Sequence, residues 1–450
     1  MLVRLVVENF LSIAEQRTFD MLPNDKLGKL RHHVQDAGGV DLLKLGVLYG
    51  ANAAGKSTVF KAMATLKALV SGQESWVMYA HTRHRFNEDN GEPITLGVEF
   101  LVGERAFLYA VQLREGIVAA EELYRSGLGG KDELIFRRTS GNGKNQLELP
   151  ALDGLGQPTS EVKQFIEKNT IHANQAVLAS LAAFEGPQYK NIKIAFTWFT
   201  NTLQLISPSQ YAIGLAQRID QDPDFGKFVK ETLKSSHLGI SDVVIEKLTL
   251  NEFFGRDDAN KASEIRAKFE ANPDGILPAY TSSGQEVSIV MENDKPVVKM
   301  LVIRKGDRSN VKDFSSVEES DGTQRLLDFL PAFYIVARSP TVFFIDEIER
   351  SLHPLLIHKL LEKFSLDEHT RGQLIMTTHE SNLLDQDILR RDEIWFVEKD
   401  MFGATDLYSL NKFREHNTID IRKGYLNGRY GGIPFLGKLD TLNWHEHDTV

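Results

Sequence analysis

The chain of 450 residues contains no cysteine, which excludes disulfide bonds, thiolate metal sites and cysteine nucleophiles. It also has no apolar run close to the ~20 residues that a membrane-spanning helix needs. The first ten residues, MLVRLVVENF, reach charged side chains too early for a secretory signal. These absences favour a cytoplasmic protein that has no membrane partner.

A surplus of basic residues is absent as well, since the formal net charge is −10 and the isoelectric point is about 5.8. Proteins that act mainly by wrapping DNA are usually basic. Short basic runs, such as HTRHR at 81–85, are more often solvated surface than a nucleic-acid footprint. DNA is therefore a candidate partner that the net charge does not support.

The most informative segment is GANAAGKST at 50–58, a complete Walker A motif. It follows the apolar run 42–49, which predicts a buried strand, and it precedes a segment with apolar residues at helical spacing. In this context the backbone N–H groups form an anion site, Lys56 reaches the β- and γ-phosphates, and Ser57 holds Mg²⁺. The alternative is a glycine turn before a helix. The predicted ATP-binding residues are Gly50, Asn52, Gly55, Lys56, Ser57 and Thr58.

A second motif, TVFFIDE at 341–347, has the Walker B pattern of a buried strand that ends in two acids. Asp346 is expected to hold Mg²⁺, and Glu347 to polarise the attacking water. Alone, the pattern also fits an ordinary strand with surface acids at its end. Asp346 follows Lys56 by 290 residues, so we expect a large insertion between the two motifs.

Two further segments complete the predicted site. The run ESDGTQRLL at 319–327 precedes an apolar helix and resembles the signature loop of ABC-type ATPases. This resemblance implies that Ser320, Gly322 and Gln324 contact the γ-phosphate of a nucleotide held by a second subunit, at a helix N-terminus that favours an anion. The alternative is a helix that is simply capped by Ser320 or Asp321. The run QLIMTTH at 373–379 predicts a strand that ends at His379. His379 resembles the switch histidine of ABC ATPases, which implies a contact with the γ-phosphate or the attacking water.

The order of these motifs resembles the ABC-type head that SMC proteins, recombination-mediator ATPases and OLD ATPases share. A narrower resemblance is to the AAA-type ATPases of prokaryotic abortive-infection and anti-phage operons, including the AbiL/RloA-like ATPases and the ATPase subunit of the PARIS system. The segments that carry it are NFLSI (9–13), LASLA (178–182), IDEIERSLHP (345–354), TTHESNLLD (377–385) and YLNGRYGGIPFLG (425–437).

The resemblance implies an α/β fold, an ABC-type P-loop head with a mixed sheet, flanking helices and an antiparallel meander. It implies hydrolysis of ATP with Mg²⁺ and a homodimer, or a higher homo-oligomer, that forms through the heads. It also implies an effector protein, a nuclease or toxin encoded alongside, with a phage-derived trigger as a further candidate partner. ABC heads carry a Q-loop glutamine, for which Gln73 and Gln112 are both candidates here.

The length favours two or three domains, or one domain with an insertion. We expect a first ATPase lobe at 1–150 with a meander over 92–149, an inserted helical arm at 151–240, and a second lobe at 241–450. In the arm a helix is predicted from Ser160, and another over 223–237. Strands are predicted at 240–250, 286–303, 393–399 and 404–410, followed by a frayed tail. Sustained heptads are absent, so a long coiled coil is not expected.

Three other functions compete with the defence ATPase. A DNA-repair or recombination head that binds DNA directly is the main alternative. A nuclease of the OLD type needs a further catalytic domain, but only 71 residues follow His379 and they hold no suitable acidic constellation. An ABC transporter subunit is disfavoured by the long insertion.

Overall fold

The structure is a computed structural model that describes residues 1–86, 91–141, 144–150, 174–255, 263–265, 267–269, 272, 275–307, 310–413 and 420–433. The chain forms two compact units. Unit 1 comprises Met1–Ile206, Pro340–Glu347 and Arg371–Val450, and unit 2 comprises Ser207–Ser339 and Ile348–Thr370. Within the described ranges, every helix is too short or too polar to cross a membrane.

The strands, in chain order, are β1 (Leu2–Glu8), β2 (Arg17–Asp20), β3 (Val34–Asp36), β4 (Asp41–Leu43), β5 (Leu45–Tyr49), β6 (Ile94–Val102), β7 (Arg105–Arg114), β8 (Ile117–Arg125), β9 (Glu133–Gly141), β10 (Lys144–Glu148), β11 (Leu203–Ile206), β12 (Ile240–Thr249), β13 (Leu277–Tyr280), β14 (Glu286–Glu292), β15 (Lys295–Asp307), β16 (Asn310–Ser315), β17 (Val342–Ile345), β18 (Gln373–Thr378), β19 (Ile394–Lys399) and β20 (Thr405–Ser409). The α-helices are α1 (Lys56–Val70), α2 (Val177–Ala182), α3 (Lys190–Thr197), α4 (Leu215–Gln221), α5 (Pro223–Ser235), α6 (Leu250–Phe254), α7 (Asp321–Arg338), α8 (Pro354–Ser365) and α9 (Ile421–Leu426).

Unit 1 contains the predicted mixed sheet, whose strand order is β11-β17-β18-β5-β19-β20. Its strands are parallel except for the antiparallel pair β19 and β20. Every residue of β5 is buried, as expected for a central parallel strand whose two faces are covered. The apolar run 42–49 is therefore confirmed as strand, although it is divided at Lys44 into β4 and β5.

The predicted meander is a second, antiparallel sheet of unit 1, with the order β10-β9-β8-β7-β6-β1-β2. The Gly-Glu turn lies between β6 and β7, as the alternating pattern predicted. A buried carboxylate of this sheet, that of Glu121 in β8, is hydrogen-bonded to the start of helix α2, which carries the LASLA segment. Glu121 accepts hydrogen bonds from the backbone N–H groups of Val177 and Leu178 at 2.7 and 2.8 Å, and it lies 3.7 Å from Arg138.

Unit 2 contains an antiparallel sheet with the order β12-β15-β14-β13, to which β16 adds by pairing with β15. Helices α4 to α8 belong to this unit. Helix α5 matches the helix predicted over 223–237. It begins with Pro223 after the N-cap Asp222, whose side chain accepts the N–H of Phe225.

The range predicted as one helical arm, 151–240, is divided in the structure. Residues 151–173, which include the helix predicted from Ser160, lie outside the described residues, as do residues 434–450 of the tail. The rest of the range is not purely helical, because β11 pairs in parallel with the Walker B strand β17. Its helices α2 and α3 belong to unit 1, and α4 and α5 to unit 2, so the unit boundaries differ from the predicted ones.

Candidate nucleotide site

The Walker A segment forms a loop between β5 and α1, in the predicted context of strand, loop and helix. Lys56 is the first residue of α1, and its Nζ donates hydrogen bonds to the carbonyl oxygens of Gly50 (2.7 Å) and Ala51 (3.0 Å). The loop therefore curls around its own ammonium group. A cation inside a ring of backbone groups at a helix N-terminus is suited to binding a polyphosphate.

Neighbouring atoms leave no space for a side chain at the two Walker A glycines, Gly50 and Gly55. A Cβ on Gly50 would overlap the carbonyl oxygen of Val397 in β19. Gly55 has φ of 111°, and a Cβ there would overlap Oγ1 of Thr405 in β20. Asn52, in contrast, is exposed at the tip of the loop.

The first Walker B acid lies directly beside the loop. Asp346 follows β17, is 4% exposed, and its Oδ1 accepts hydrogen bonds from Thr377 (2.6 Å) and Ser57 (3.3 Å). A hydroxyl and a carboxylate are the oxygen ligands that Mg²⁺ prefers, so these residues fit the ion. No group of three or more His or acidic side chains that could hold a metal exists in the described part of the chain.

The second Walker B acid, Glu347, is hydrogen-bonded to the same threonine, Thr377. The N–H of Glu347 donates to Oγ1 of Thr377 at 2.8 Å, and Glu347 has φ of 53°, an unusual left-handed conformation for a side-chain-bearing residue. The parallel register pairs Ile345 with Met376, which places Asp346 and Thr377 side by side at the ends of their strands. Sequence reasoning missed Thr377, although the TTH run contains it.

His379 comes one residue after β18 and its side chain is exposed. Strand β18 lies between β17 and β5 and is parallel to both, so the phosphate loop, Asp346 and His379 all follow the carboxyl ends of strands at one edge of the sheet. This edge is where open α/β sheets bind their ligands. Gln73 and Gln112, the Q-loop candidates, are both exposed, in a turn after α1 and in β7.

The signature segment belongs to unit 2, whereas the residues above belong to unit 1. Ser320 is the N-cap of α7, and its Oγ accepts the N–H of Thr323 at 3.3 Å. A Cβ on Gly322 would approach the carbonyl oxygen of Ser351 to 2.7 Å, and Nε2 of Gln324 donates to the carbonyl oxygen of Glu319 at 2.9 Å. The capped helix of the alternative interpretation is therefore present. Ser320 is exposed, and its Oγ also lies 3.0 Å from Oγ1 of Thr323.

Side chains of helix α7 also form hydrogen bonds with residues 207–212, the first residues of unit 2. Arg325 donates to the carbonyl oxygens of Gln210 (2.8 Å) and Ser207 (3.1 Å). Asp328, one turn further on, accepts the N–H of Ala212 at 2.8 Å. Burial raises the pKa of the Asp328 carboxyl to about 6, although the Ala212 N–H and the Arg325 guanidinium act in the opposite direction.

The fold and these motifs define a P-loop nucleotide-binding protein. The chain matches the family profile described as an AAA domain, putative AbiEii toxin, type IV toxin–antitoxin system, over residues 45–385. Since this match spans about three quarters of the chain, the protein belongs to that AAA family, which is a family of P-loop ATPases.

Solved structures that resemble the chain include an SMC head domain from Thermotoga maritima, with 12% identity, a TM-score of 0.35, and coverage of 91% of this chain and 98% of that one. Another is an SMC head bound to the C-winged helix domain of ScpA, with 13% identity, a TM-score of 0.40, and coverage of 91% and 99%. Because both TM-scores are below 0.5, the sheet order described above, and not these two structures, is the basis for the α/β architecture. No curated protein matches the chain.

Proposed function

We propose that this protein is a Mg²⁺-dependent ATPase whose two copies close head-to-head on ATP and control a nuclease or toxin effector in anti-phage defence. One observation carries the ATPase proposal: Ser57, Asp346, Thr377 and Glu347 are joined by consecutive hydrogen bonds beside the phosphate loop. Mg²⁺, when bound, would neutralise charge on the phosphates. Lys56 would hold the β- and γ-phosphates, and Glu347 would orient the water.

The dimer part of the proposal is supported by the signature motif. Ser320 is exposed at the N-terminus of the 18-residue helix α7, where the helix dipole favours an anion. In the proposed dimer this terminus meets the γ-phosphate bound by the partner, with Gly322 and Gln324 beside it and His379 next to the reacting phosphate. The toxin–antitoxin wording of the family description supports an effector that acts with the ATPase.

Glu347→Gln tests the chemistry. Because a positioned general base contributes typically ~10²–10⁴-fold, we expect hydrolysis to fall by about 100-fold or more while ATP binding persists. Light scattering with ATP should then show a trapped dimer. Glu74→Gln, an exposed acid that follows α1, is the control and should hydrolyse ATP normally. Hydrolysis at the wild-type rate by Glu347→Gln would show that the assignment of the base is wrong.

A matched pair of substitutions at Ser320 separates the signature role from simple helix capping. Asp and Asn cap a helix about as well as Ser, so both variants should fold with unchanged stability. Only Ser320→Asp places a negative charge against the partner's triphosphate. We expect it to abolish ATP-driven dimerisation, whereas Ser320→Asn retains it. Equal dimerisation by both variants would leave Ser320 with a capping role alone.

The effector proposal is tested by the reading frame beside the gene, which should encode a nuclease or a toxin. The competing function is a DNA-repair head. It predicts tight, salt-dependent binding of duplex DNA by the purified chain, with affinity falling steeply between low and physiological salt. For a chain with a net charge of −10 we expect weak DNA binding instead.

A further inference from the structure

Two motifs of the chain, NFLSI near the start and YLNGRYGGIP near the end, both contact the phosphate loop. The contacts come from Ser12, from Thr405 at the start of β20, and from the carbonyl group of Gly432, all within unit 1. We call these three residues the loop collar.

The hydroxyl groups of the loop collar form a chain of contacts with the loop. Thr405 Oγ1 is the donor both toward the carbonyl oxygen of Ala54 at 2.9 Å and toward Ser12 Oγ at 2.8 Å, so its one hydrogen serves two acceptors. Ser12 Oγ lies 2.9 Å from Thr58 Oγ1, where either hydroxyl can donate. The chain therefore links the backbone of Ala54 to the side chain of Thr58.

The backbone of the loop collar adds a second attachment. The N–H of Ala51 donates to the carbonyl oxygen of Gly432 at 2.7 Å, and Tyr425 donates its hydroxyl to the same oxygen at 3.0 Å. Gly432 has φ of 66°, and its own N–H donates to Glu398 at 3.0 Å, so hydrogen bonds hold the peptide groups on both sides of its Cα. The N–H of Ala51 is therefore used in a bond within the protein.

We propose that Ser12 and Thr405 are positioning residues that set the conformation of the phosphate loop for the triphosphate without touching the nucleotide. The inference rests on the proposed nucleotide binding. An anion site made of backbone N–H groups works only when those groups converge, and the loop collar is hydrogen-bonded to Ala51 and Ala54, at the two ends of the stretch 51–54. Losing it weakens ground-state and transition-state binding alike, so KM rises and kcat does not change.

The test measures the affinity of the full chain for a fluorescent ATP analogue, together with kcat and KM. Thr405→Val is isosteric but leaves the Ala54 carbonyl without its hydroxyl partner, so we expect about a ten-fold weaker Kd with kcat within about two-fold. Thr405→Ser keeps the hydroxyl and should restore binding. Ser12→Ala removes the middle of the chain. Since both residues act through one chain, the double variant should be no weaker than the worse single variant.

Thr65→Val is the matched control, because Thr65 is a buried residue of α1 whose hydroxyl donates to the carbonyl oxygen of Lys61 at 2.8 Å. It should lower the melting temperature without changing Kd. Wild-type Kd in a folded Thr405→Val or Ser12→Ala variant would overturn the inference, as would a loss of kcat at unchanged Kd. A wild-type chain that binds no nucleotide would instead refute the proposed function itself.

Discussion

Replacing Thr377 by Val removes the one hydroxyl that serves both Walker B acids. The side chain is fully buried, and Val has nearly the same shape, so no cavity forms. The variant loses a bond to the Asp346 carboxylate and an acceptor for the Glu347 N–H. Hydrogen bonds to charged groups contribute roughly 1.5–3 kcal/mol and neutral ones about 1 kcal/mol, so together they stabilise the site by about 3 kcal/mol.

If half of that free energy is lost in the transition state, kcat falls by roughly ten-fold, at 1.36 kcal/mol per factor of ten. Asp346 would also lose its fixed orientation, so we expect half-maximal activity to need more Mg²⁺. A steady-state ATPase assay with a Mg²⁺ titration measures both effects. Thr377→Ser keeps the hydroxyl and should recover most of the activity. Wild-type kcat and Mg²⁺ dependence in Thr377→Val would refute the reasoning.

Three further predictions follow from contacts described above. Gly50→Ala should abolish ATP binding because its methyl group overlaps the Val397 carbonyl, whereas Gly28→Ala, which meets no atom within 4 Å, should leave titrations with ATP unchanged. Glu121→Gln should lower the free energy of unfolding in urea by about 3 kcal/mol, because it leaves the buried Arg138 without its carboxylate, and an unchanged midpoint would contradict this. The raised pKa of Asp328 means that the folded state holds the proton more tightly than the unfolded state. The free energy of unfolding should therefore fall by up to roughly 3 kcal/mol as the pH rises from about 4 to about 6. Asp328→Asn should remove this pH dependence, which thermal melts at a series of pH values would measure.

The local parts of the site could be predicted from the sequence. The strand β5, the loop and helix α1 follow from apolar patterning and glycine, because neighbouring residues alone decide them. The same holds for the strand before Asp346 and for the capped start of α7. These segments lie where the sequence predicted them, although β5 and α1 begin three residues away from the predicted starts.

The parts that the sequence did not predict depend on pairing between distant strands. Thr377 contacts Asp346 only because β17 and β18 are parallel neighbours in one register. Ser12 and Thr405 meet at the loop because β20 closes the sheet beside β19. Strand β11 (LQLI) was predicted as part of the helical arm, because a segment of four residues is too short to show a periodicity of its own. Its parallel pairing with β17 determined its conformation instead.

The sheet order also has a consequence for biosynthesis. Strand β5 pairs with β18 and β19, which the ribosome adds more than 320 residues later. At ~5–20 residues per second, β5 would wait roughly 16–65 s for its neighbours. We expect a nascent chain released before residue 405 to be unable to retain ATP, because it lacks β20 and the contact of Thr405 with the phosphate loop.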